Sequence, residues 1–330
     1  MTVIVDDAPT RVREDTEAPS PVLYQNDEEK FCKEMVSKLS DPEKETAAKT
    51  SYSYMSRSLS GKRSTEERDN HAAAMALRHL RAEKGDQDLA LKKMQSTIAH
   101  REEIDVDGLR RCFYELEHPD EATANQYDEY RKNIRIQMGS AKAYVRGYDK
   151  KGRVLYSFVP RRKNSEDPEW YLKGYVYMME RALACTERKT GGAEDKVIVL
   201  FDYSGYKSAH SPPLSLAKKL VFLMSDHYPE RLEHVFVLDA PLAFRAFWIL
   251  IRPFIDPVTK AKVMFLTGKT AKSDKLGGLI EKNQAESFML QGGKMPSDID
   301  MESFLSRVPF DHAANEAQTA AIQEPILQQH

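Results

Sequence analysis

The chain has 330 residues, 41% hydrophobic and 30% charged, with 49 basic and 51 acidic side chains for a formal net charge of −2. That length holds one large domain, a smaller companion and a sizeable core, while the balanced charge excludes a global basic field of the kind that recruits nucleic acid. The three cysteines, Cys32, Cys112 and Cys185, are odd in number and far apart, which excludes a disulfide framework and fits buried thiols in a reducing compartment.

Residues 1–21 hold acids and prolines but no apolar run, so no secretory signal is expected there, and residues 1–25 are expected to be disordered. Phe31, Met35 and Leu39 recur at helical spacing and predict a short amphipathic helix over 27–39. Residues 49–64, rich in serine, tyrosine and basic side chains without a period, read as a linker. Strong helix formers from His71 to Leu77 predict a helix ending near Gly85. Asp86 then caps a second helix with Leu91, Met94 and Ile98 on one face. A third, from Asp105, carries Val106, Leu109, Cys112, Phe113 and Leu116 and stops at Pro119. A fourth, from about Glu121, aligns Tyr127, Tyr130 and Ile134.

Beyond Gly139 the period changes. Residues 143–148 and 153–159 flank Asp149-Lys150-Lys151-Gly152 and predict a β-hairpin. Residues 170–187 follow as a helix with Leu172, Tyr175, Val176, Met179 and Leu183 inward. Three apolar runs, 197–201, 235–238 and 263–266, alternate with helices over 212–227 and 241–255. This order predicts parallel strands joined by right-handed crossovers. A closing helix over 274–282, Gly292-Gly293 and a polar tail after Pro309 complete the chain.

The helix over 241–255 is apolar around nearly its whole circumference: Leu242, Phe244, Phe247, Trp248, Ile249, Leu250, Ile251, Phe254 and Ile255 are interrupted only by Arg245, Arg252 and Pro253 among its long residues. An ordinary surface helix has one apolar stripe. Two readings fit, a central core helix or a helix that covers a cavity and at times faces a bilayer. No segment reaches the ~20 apolar residues of a membrane span.

Several motifs in order resemble a known family. They are Leu77-Arg78-His79-Leu80-Arg81-Ala82-Glu83-Lys84, Val199-Leu200-Phe201-Asp202-Tyr203-Ser204-Gly205, Tyr228-Pro229-Glu230-Arg231-Leu232, Val237-Leu238-Asp239-Ala240-Pro241, Arg252 through Thr259, Lys262-Val263 and Gln291-Gly292-Gly293. Together they look like the CRAL-TRIO lipid-binding family, close to the secretory-pathway phosphatidylinositol/phosphatidylcholine transfer proteins, over residues 70–294. The resemblance implies an α/β fold with an N-terminal helical lobe, a mixed, mainly parallel sheet and a hydrophobic lipid cavity under a gate helix. It implies domain bounds of 1–64 (disordered, with a possible short helix), 65–137 (helical lobe), 138–295 (lipid-binding domain) and 296–330 (extension).

By the same resemblance, Lys262 and Thr259 bind the inositol phosphate, Glu230 pairs with Lys262, and Lys84 adds a second cation. The adjacent family arginine is Glu83 here, with Arg81 one turn away to compensate. Val197, Val199, Phe201, Leu242, Phe244, Phe247, Trp248, Ile251, Phe254 and Ile255 line the cavity and gate, with Pro257 and Gly268 as hinge candidates. Choline-lipid carriers in the family have a serine and a threonine at the positions of Val197 and Val199, so phosphatidylcholine is not expected as the second ligand.

The function expected from this reading is phosphatidylinositol binding and transfer. The protein would be a non-enzymatic carrier or lipid-presenting protein, cytoplasmic and peripheral at endomembranes. Its partners would be phosphatidylinositol, a second hydrophobic lipid, a transient membrane surface and a lipid kinase, but no nucleic acid. The alternatives are a carrier of a sterol-, tocopherol- or retinoid-like ligand, or an α/β enzyme using Asp202 and Asp239. No cofactor or metal is expected, since the nine histidines show no ligand spacing.

Overall fold

The computed structural model describes residues 24–57, 63–113, 119–162 and 167–307. The expected disordered residues 1–23 and the polar tail beyond 307 lie outside these. At the centre is a five-stranded sheet in the order β1-β2-β3-β4-β5. A hairpin of β1 (Ala143–Tyr148) and β2 (Val154–Phe158) is antiparallel. β3 (Val197–Asp202), β4 (Leu232–Leu238) and β5 (Val263–Leu266) continue it in parallel, and β2 is also parallel to β3. The hairpin turns because the Asp149 carboxylate accepts from the backbone N–H of both Lys151 and Arg153, at 3.0 and 2.8 Å. Gly152 supplies the left-handed residue at φ +84°, where a Cβ would meet the Thr190 side chain at 2.7 Å.

The helical lobe begins earlier than the sequence implied. α1 (Glu28–Ser37), α2 (Asp41–Ala48) and α3 (Tyr52–Arg57) precede α4 (Thr65–Ala82) and α5 (Gln87–Glu103), and α1 and α2 pack on α4. α3 replaces part of the expected linker over 49–64, with Tyr52, Tyr54 and Met55 buried. Its first turn is held by a distant acid: Glu187 accepts from Ser51 Oγ, Tyr52 N and Ser53 N at 2.6, 2.8 and 2.9 Å. The third predicted helix is short, α6 (Val106–Arg111), capped by Asp105 in a left-handed conformation; Leu116 lies outside the described residues. α7 (Glu121–Met138) completes the lobe with Tyr127, Tyr130 and Ile134 buried.

The crossovers are α8 (Pro168–Thr190), α9 (Leu214–His227) and α10 (Leu242–Ile251), with the short α11 (Pro257–Ala261) leading into β5. The closing helix is not over 274–282 but earlier, α12 (Gly268–Leu276), ended by Gly277 and Gly278. Its start is fixed because the Asp239 carboxylate accepts from Gly268 N at 2.9 Å and Lys272 Nζ at 2.7 Å. Gly293 lies against the carbonyls of Ala285 and Glu286, 2.6 Å from where a Cβ would stand. The extension then folds back as α13 (Met301–Ser306), burying Met301, Phe304 and Leu305.

One buried ionic network joins the lobe to the sheet domain. Glu180 on α8 accepts from Arg101 Nη1 at 2.7 Å and Tyr228 OH at 2.9 Å, and lies 3.1 Å from Arg110 Nε. Burial alone would raise the Glu180 pKa, but the two guanidiniums pull it from 4.5 to about 2. Its folded pKa is thus below its unfolded one, so its contribution is present above about pH 4.5 and fades as pH falls toward 2. Glu180→Ala leaves two buried cations without their carboxylate, and urea unfolding is expected to register a loss of about 3–5 kcal/mol. The variant's stability should also depend less on pH below 4.5 than that of the parent.

Candidate functional site

The two faces of the sheet are packed to different degrees. Strand alternation sends Ile198, Leu200, Phe236 and Leu238 to one face, where all are fully buried beneath α12 and residues 276–290. The opposite face carries Val197, Val199, Phe201, Val235, Val237, Val263 and Phe265. Val197 and Val199 are buried against α8, but toward α9 and α10 the cover thins. Phe201, Val235 and Val263 are only half-buried, and Phe265 is 37% exposed. A row of rings crosses this face: Phe158 lies 5.5 Å from Tyr175 and 4.7 Å from Phe201, Tyr203 lies 4.1 Å from Phe244, and Trp248 stands edge-on to Phe265 at 5.7 Å.

α10 is not a central core helix. Phe244 and Ile251 are buried on its inner side and Phe247 and Trp248 are half-buried, whereas Leu242, Ile249 and Leu250 are 82, 69 and 55% exposed on its outer side. Arg245 and Arg252 share that outer region. Phe254 and Ile255 follow in a single 3-10 turn and its exit, half-buried; Phe254 sits edge-on to Phe222 at 5.9 Å and beneath Lys218 Nζ at 4.0 Å. The beginnings of α11 and α12 bear the two hinge candidates, Pro257 and Gly268, the latter at φ +81°.

A polar atom is stranded on the same face. Tyr156, opposite Val199 in the register, is buried, and its hydroxyl has no hydrogen-bond partner among the described residues. Tyr171 and Tyr175 next to it are buried, their rings edge-on at 4.7 Å. No hydroxyl is available from Val197 or Val199.

The headgroup residues are not brought together as the sequence implied. Lys84, exposed and in the left-handed region at φ 55°, shares a pocket of about 340 Å³ with Arg81, Glu28, Phe31 and Leu80. Arg81 is gripped from two sides by Glu28, through Nε at 3.0 Å and Nη2 at 2.8 Å. That hydrogen bonding holds the Glu28 carboxyl below its usual range. Arg81 therefore compensates for an acid of α1 and does not stand free in place of the arginine that Glu83 replaces. The expected Glu230–Lys262 pair is not formed. Glu230, also left-handed at φ 58°, faces Lys196 at 3.7 Å, while Lys262 Nζ donates to the Leu232 carbonyl at 2.8 Å. Thr259 is tied to the cap of α11, its N–H donating to Asp256 Oδ1 at 2.8 Å.

The carboxylates an enzyme reading would use are both engaged. Asp202 accepts from Ser204 Oγ and Arg161 Nη1, each at 2.5 Å, and Asp239 holds the start of α12. Among the described residues, no cluster of three or more potential metal ligands occurs and no helix is long and apolar enough to cross a membrane.

With this geometry the comparisons are specific. Residues 138–289 match the family model of the CRAL/TRIO domain. The chain carries a CRAL/TRIO domain. It is 32% identical over 194 residues to phosphatidylinositol transfer protein PDR17 of Saccharomyces cerevisiae, covering 57% of this chain and 51% of that protein. It is 26% identical over 235 residues to the SEC14 cytosolic factor of Kluyveromyces lactis, covering 68% and 74%. The chain thus spans about half the length of the first of these relatives. Among solved structures, Sfh5 superposes with a TM-score of 0.54 at 15% identity, covering 93% of this chain and 99% of that one, which establishes a common fold.

Glu28 lines the pocket of Lys84, His234 and Lys275 line a groove with Lys262, and Tyr156 is buried on the ring face; sequence reasoning chose none of them as a site residue and read His234 as structural. Tyr156 had one signal, its place in a strand two residues before Phe158; the other three are ordinary polar residues until the fold supplies neighbours. Because the Tyr156 hydroxyl has no partner, Tyr156→Phe is expected to leave the ligand-free protein as stable as the parent or more stable by about 1 kcal/mol in denaturant. A loss of that size would reveal an acceptor.

Proposed function

We propose that this chain is a lipid carrier that extracts phosphatidylinositol from one membrane and delivers it to another, or presents it to a lipid kinase, without chemical catalysis. The observation that carries the reading is the unequal packing of the sheet. On one face Ile198, Leu200, Phe236 and Leu238 are fully buried, while the other leaves Phe201, Val235, Val263 and Phe265 partly uncovered beneath α9 and α10. Apolar side chains on central strands are normally sealed by the protein itself. Here the acyl chains of a ligand complete the seal. The similarity to PDR17 and to other phosphatidylinositol transfer proteins supports the same cargo.

The energetics fit a carrier. Some thirty methylenes of a diacyl lipid cost ~25 kcal/mol to expose to water, at ~0.8 kcal/mol each. An apolar chamber removes most of that cost, provided the lid can move. α10 suits a lid because it is apolar on both sides, inward toward the rings and outward through Leu242, Ile249 and Leu250. Arg245 and Arg252 alongside would meet lipid phosphates, so the protein is read as cytoplasmic and peripheral at endomembranes. The inositol phosphate is assigned to Thr259 of α11 and Lys262 just beyond it, with Lys84 and Arg81 as further cations once Glu28 releases its hold. The second ligand is not phosphatidylcholine, because Val197 and Val199 cannot donate to its phosphate. A lipid bearing one hydroxyl or carbonyl would satisfy Tyr156.

Transfer of labelled phosphatidylinositol between vesicles tests this directly. Ile249→Asp combined with Leu250→Asp changes two exposed side chains, so circular dichroism should be unchanged, whereas transfer should fall by about tenfold or more as their membrane burial is lost. Lys262→Ala should abolish loading of phosphatidylinositol with the fold intact. Saturable binding with no movement between vesicles would reduce the protein to a sensor, and transfer unaffected by the double variant would remove α10 from the mechanism.

A further inference from the structure

The two edges of the sheet are finished differently. β1 is buried along its whole length, and the segment after α12 closes it. Lys150 N donates to the Leu279 carbonyl at 2.9 Å, Tyr148 N donates to Gln284 Oε1 at 3.2 Å, and Arg146 holds the carbonyls of Pro296 and Asp298. β5 is the other edge, and among the described residues no strand lies beyond it. Lys262 and Leu266 turn their carbonyls to β4, accepting from Val235 N at 3.0 Å and Asp239 N at 2.9 Å. Met264 faces β4 by alternation, so Val263 and Phe265 point their N–H and C=O groups away from the sheet. An open edge of this kind is a template for an added strand, and proteins blunt it with proline, bulges, charge or brevity. β5 has only its brevity, four residues without a proline, a charge or a shift in register.

The surroundings of this edge are basic in a nearly neutral chain. Residues 242–275 hold seven basic and two acidic side chains, against −2 for the whole. Asp256 is committed to the cap of α11 and Lys272 to Asp239, while Asp274 is exposed. Lys269 and Lys275 are exposed as well, and neither has an ion pair among the described residues. Beside Met264 lies a groove of about 600 Å³, with Val258 and Ala261 of α11 and Lys275 of α12 in its walls. Phe265 offers a second apolar surface on the opposite face of the sheet. A strand laid along β5 would find apolar contacts on both faces and a free cation nearby.

We propose that β5 receives an extended acidic segment of a partner protein as a sixth strand. Its backbone pairs with Val263 and Phe265, and its apolar side chains divide between the groove at Met264 and the ring of Phe265. Its carboxylates are drawn to Lys269 and Lys275. Two other occupants fit less well. A second copy pairing β5 with β5 about a twofold axis sets the cations of one protomer against those of its partner. A bilayer neutralises the lysines but cannot answer a row of alternating N–H and C=O groups. The site does not call on Lys262, and so stands apart from the headgroup assignment.

The test is fluorescence anisotropy of the full chain with a labelled peptide of about ten residues, the upper length of an ordinary strand, alternating glutamate and valine. Binding should saturate, and amide hydrogen exchange at Val263 and Phe265 should slow. The same peptide N-methylated at every residue keeps its charges but cannot donate to a ladder, and should bind about tenfold or more weakly. Lys269→Glu combined with Lys275→Glu should also weaken binding about tenfold. Phe265→Pro deletes an outward N–H and leaves the ladder to β4 alone, so it should abolish binding. Circular dichroism reports whether that variant folds; if it does not, the methylated peptide decides the same question. Equal affinity for the two peptides would reduce this face to a charged surface of the kind a bilayer meets, and overturn the strand site. Exchange at Val263 and Phe265 that stays fast, or binding untouched by the double lysine variant, overturns it too. Dimerisation of the free chain that the peptide reverses would make a second copy the occupant and overturn the partner reading. Backbone-dependent binding in a protein unable to move phosphatidylinositol would count against the carrier reading and leave this site standing.

Discussion

The structure depends on a sheet that is sealed on one side and unfinished on the other. Burying apolar surface is worth about 25 cal/mol per Å², so a chain with 41% hydrophobic residues has every reason to close both faces. The face beneath α12 obeys, with Ile198, Leu200, Phe236 and Leu238 fully inaccessible. The other face is crossed by rings that contact one another, of which Phe158, Phe201 and Phe265 are incompletely covered. The incompleteness is local, confined to the portion near α9 and α10, since Val197 and Val199 beside α8 are as buried as any core residue.

What permits that division is the bolt between the lobe and α8. Glu180 with Arg101, Arg110 and Tyr228, and Glu187 with the start of α3, tie segments far apart in sequence to one long helix. Arg78 and Arg231 both reach Asp195 just before β3, at 3.5 and 3.3 Å. Buried ion pairs of this kind are a poor source of net stability but a strict source of geometry, because any misplacement strands a charge. α8 and the lobe therefore act as a frame. α9, in which Leu216 is the one buried residue among the described side chains, is anchored to that frame at its C-terminal end, where Lys93 and Thr97 reach Asp226 and His227, so the part of the cover with room to shift is α10.

Much of this was legible in the chain. Parallel central strands read as short apolar runs, and the runs at 197–201, 235–238 and 263–266 became β3, β4 and β5. The CRAL/TRIO motifs fixed the order of elements. Two kinds of feature were not legible. α3 lies in a stretch without apolar period and is nucleated by Glu187, a partner some 135 residues away. The headgroup set was carried over position by position, but pairing is decided by neighbours the motif does not contain. Lys196 draws Glu230 and Glu28 draws Arg81, so other pairs stand in place of the predicted Glu230–Lys262 pair. The closing helix was misplaced for a similar reason: Gly277-Gly278 ends it early, and Asp239 fixes where it starts.

The distribution of cations gives the architecture its direction. With a net charge of only −2, no long-range field orients the molecule at a surface, and orientation has to come from local groups within a Debye length of about 8–10 Å. Arg245 and Arg252 flank the exposed apolar side of α10, and Lys262 and Lys275 flank the groove beyond β5. Both sets belong to the segment from β4 to α12, and the same segment bears Leu242, Ile249, Leu250 and Val258, among the most exposed apolar side chains of the described protein. An anionic bilayer approached from this side would meet charge and grease together, whereas the lobe presents mostly paired ions such as Lys33–Glu29 and Lys93–Asp226. Exposed pairs like these add little to stability. On the proposed carrier reading α10 would be the part of the molecule that reaches lipid first, which is the order of events an extraction requires.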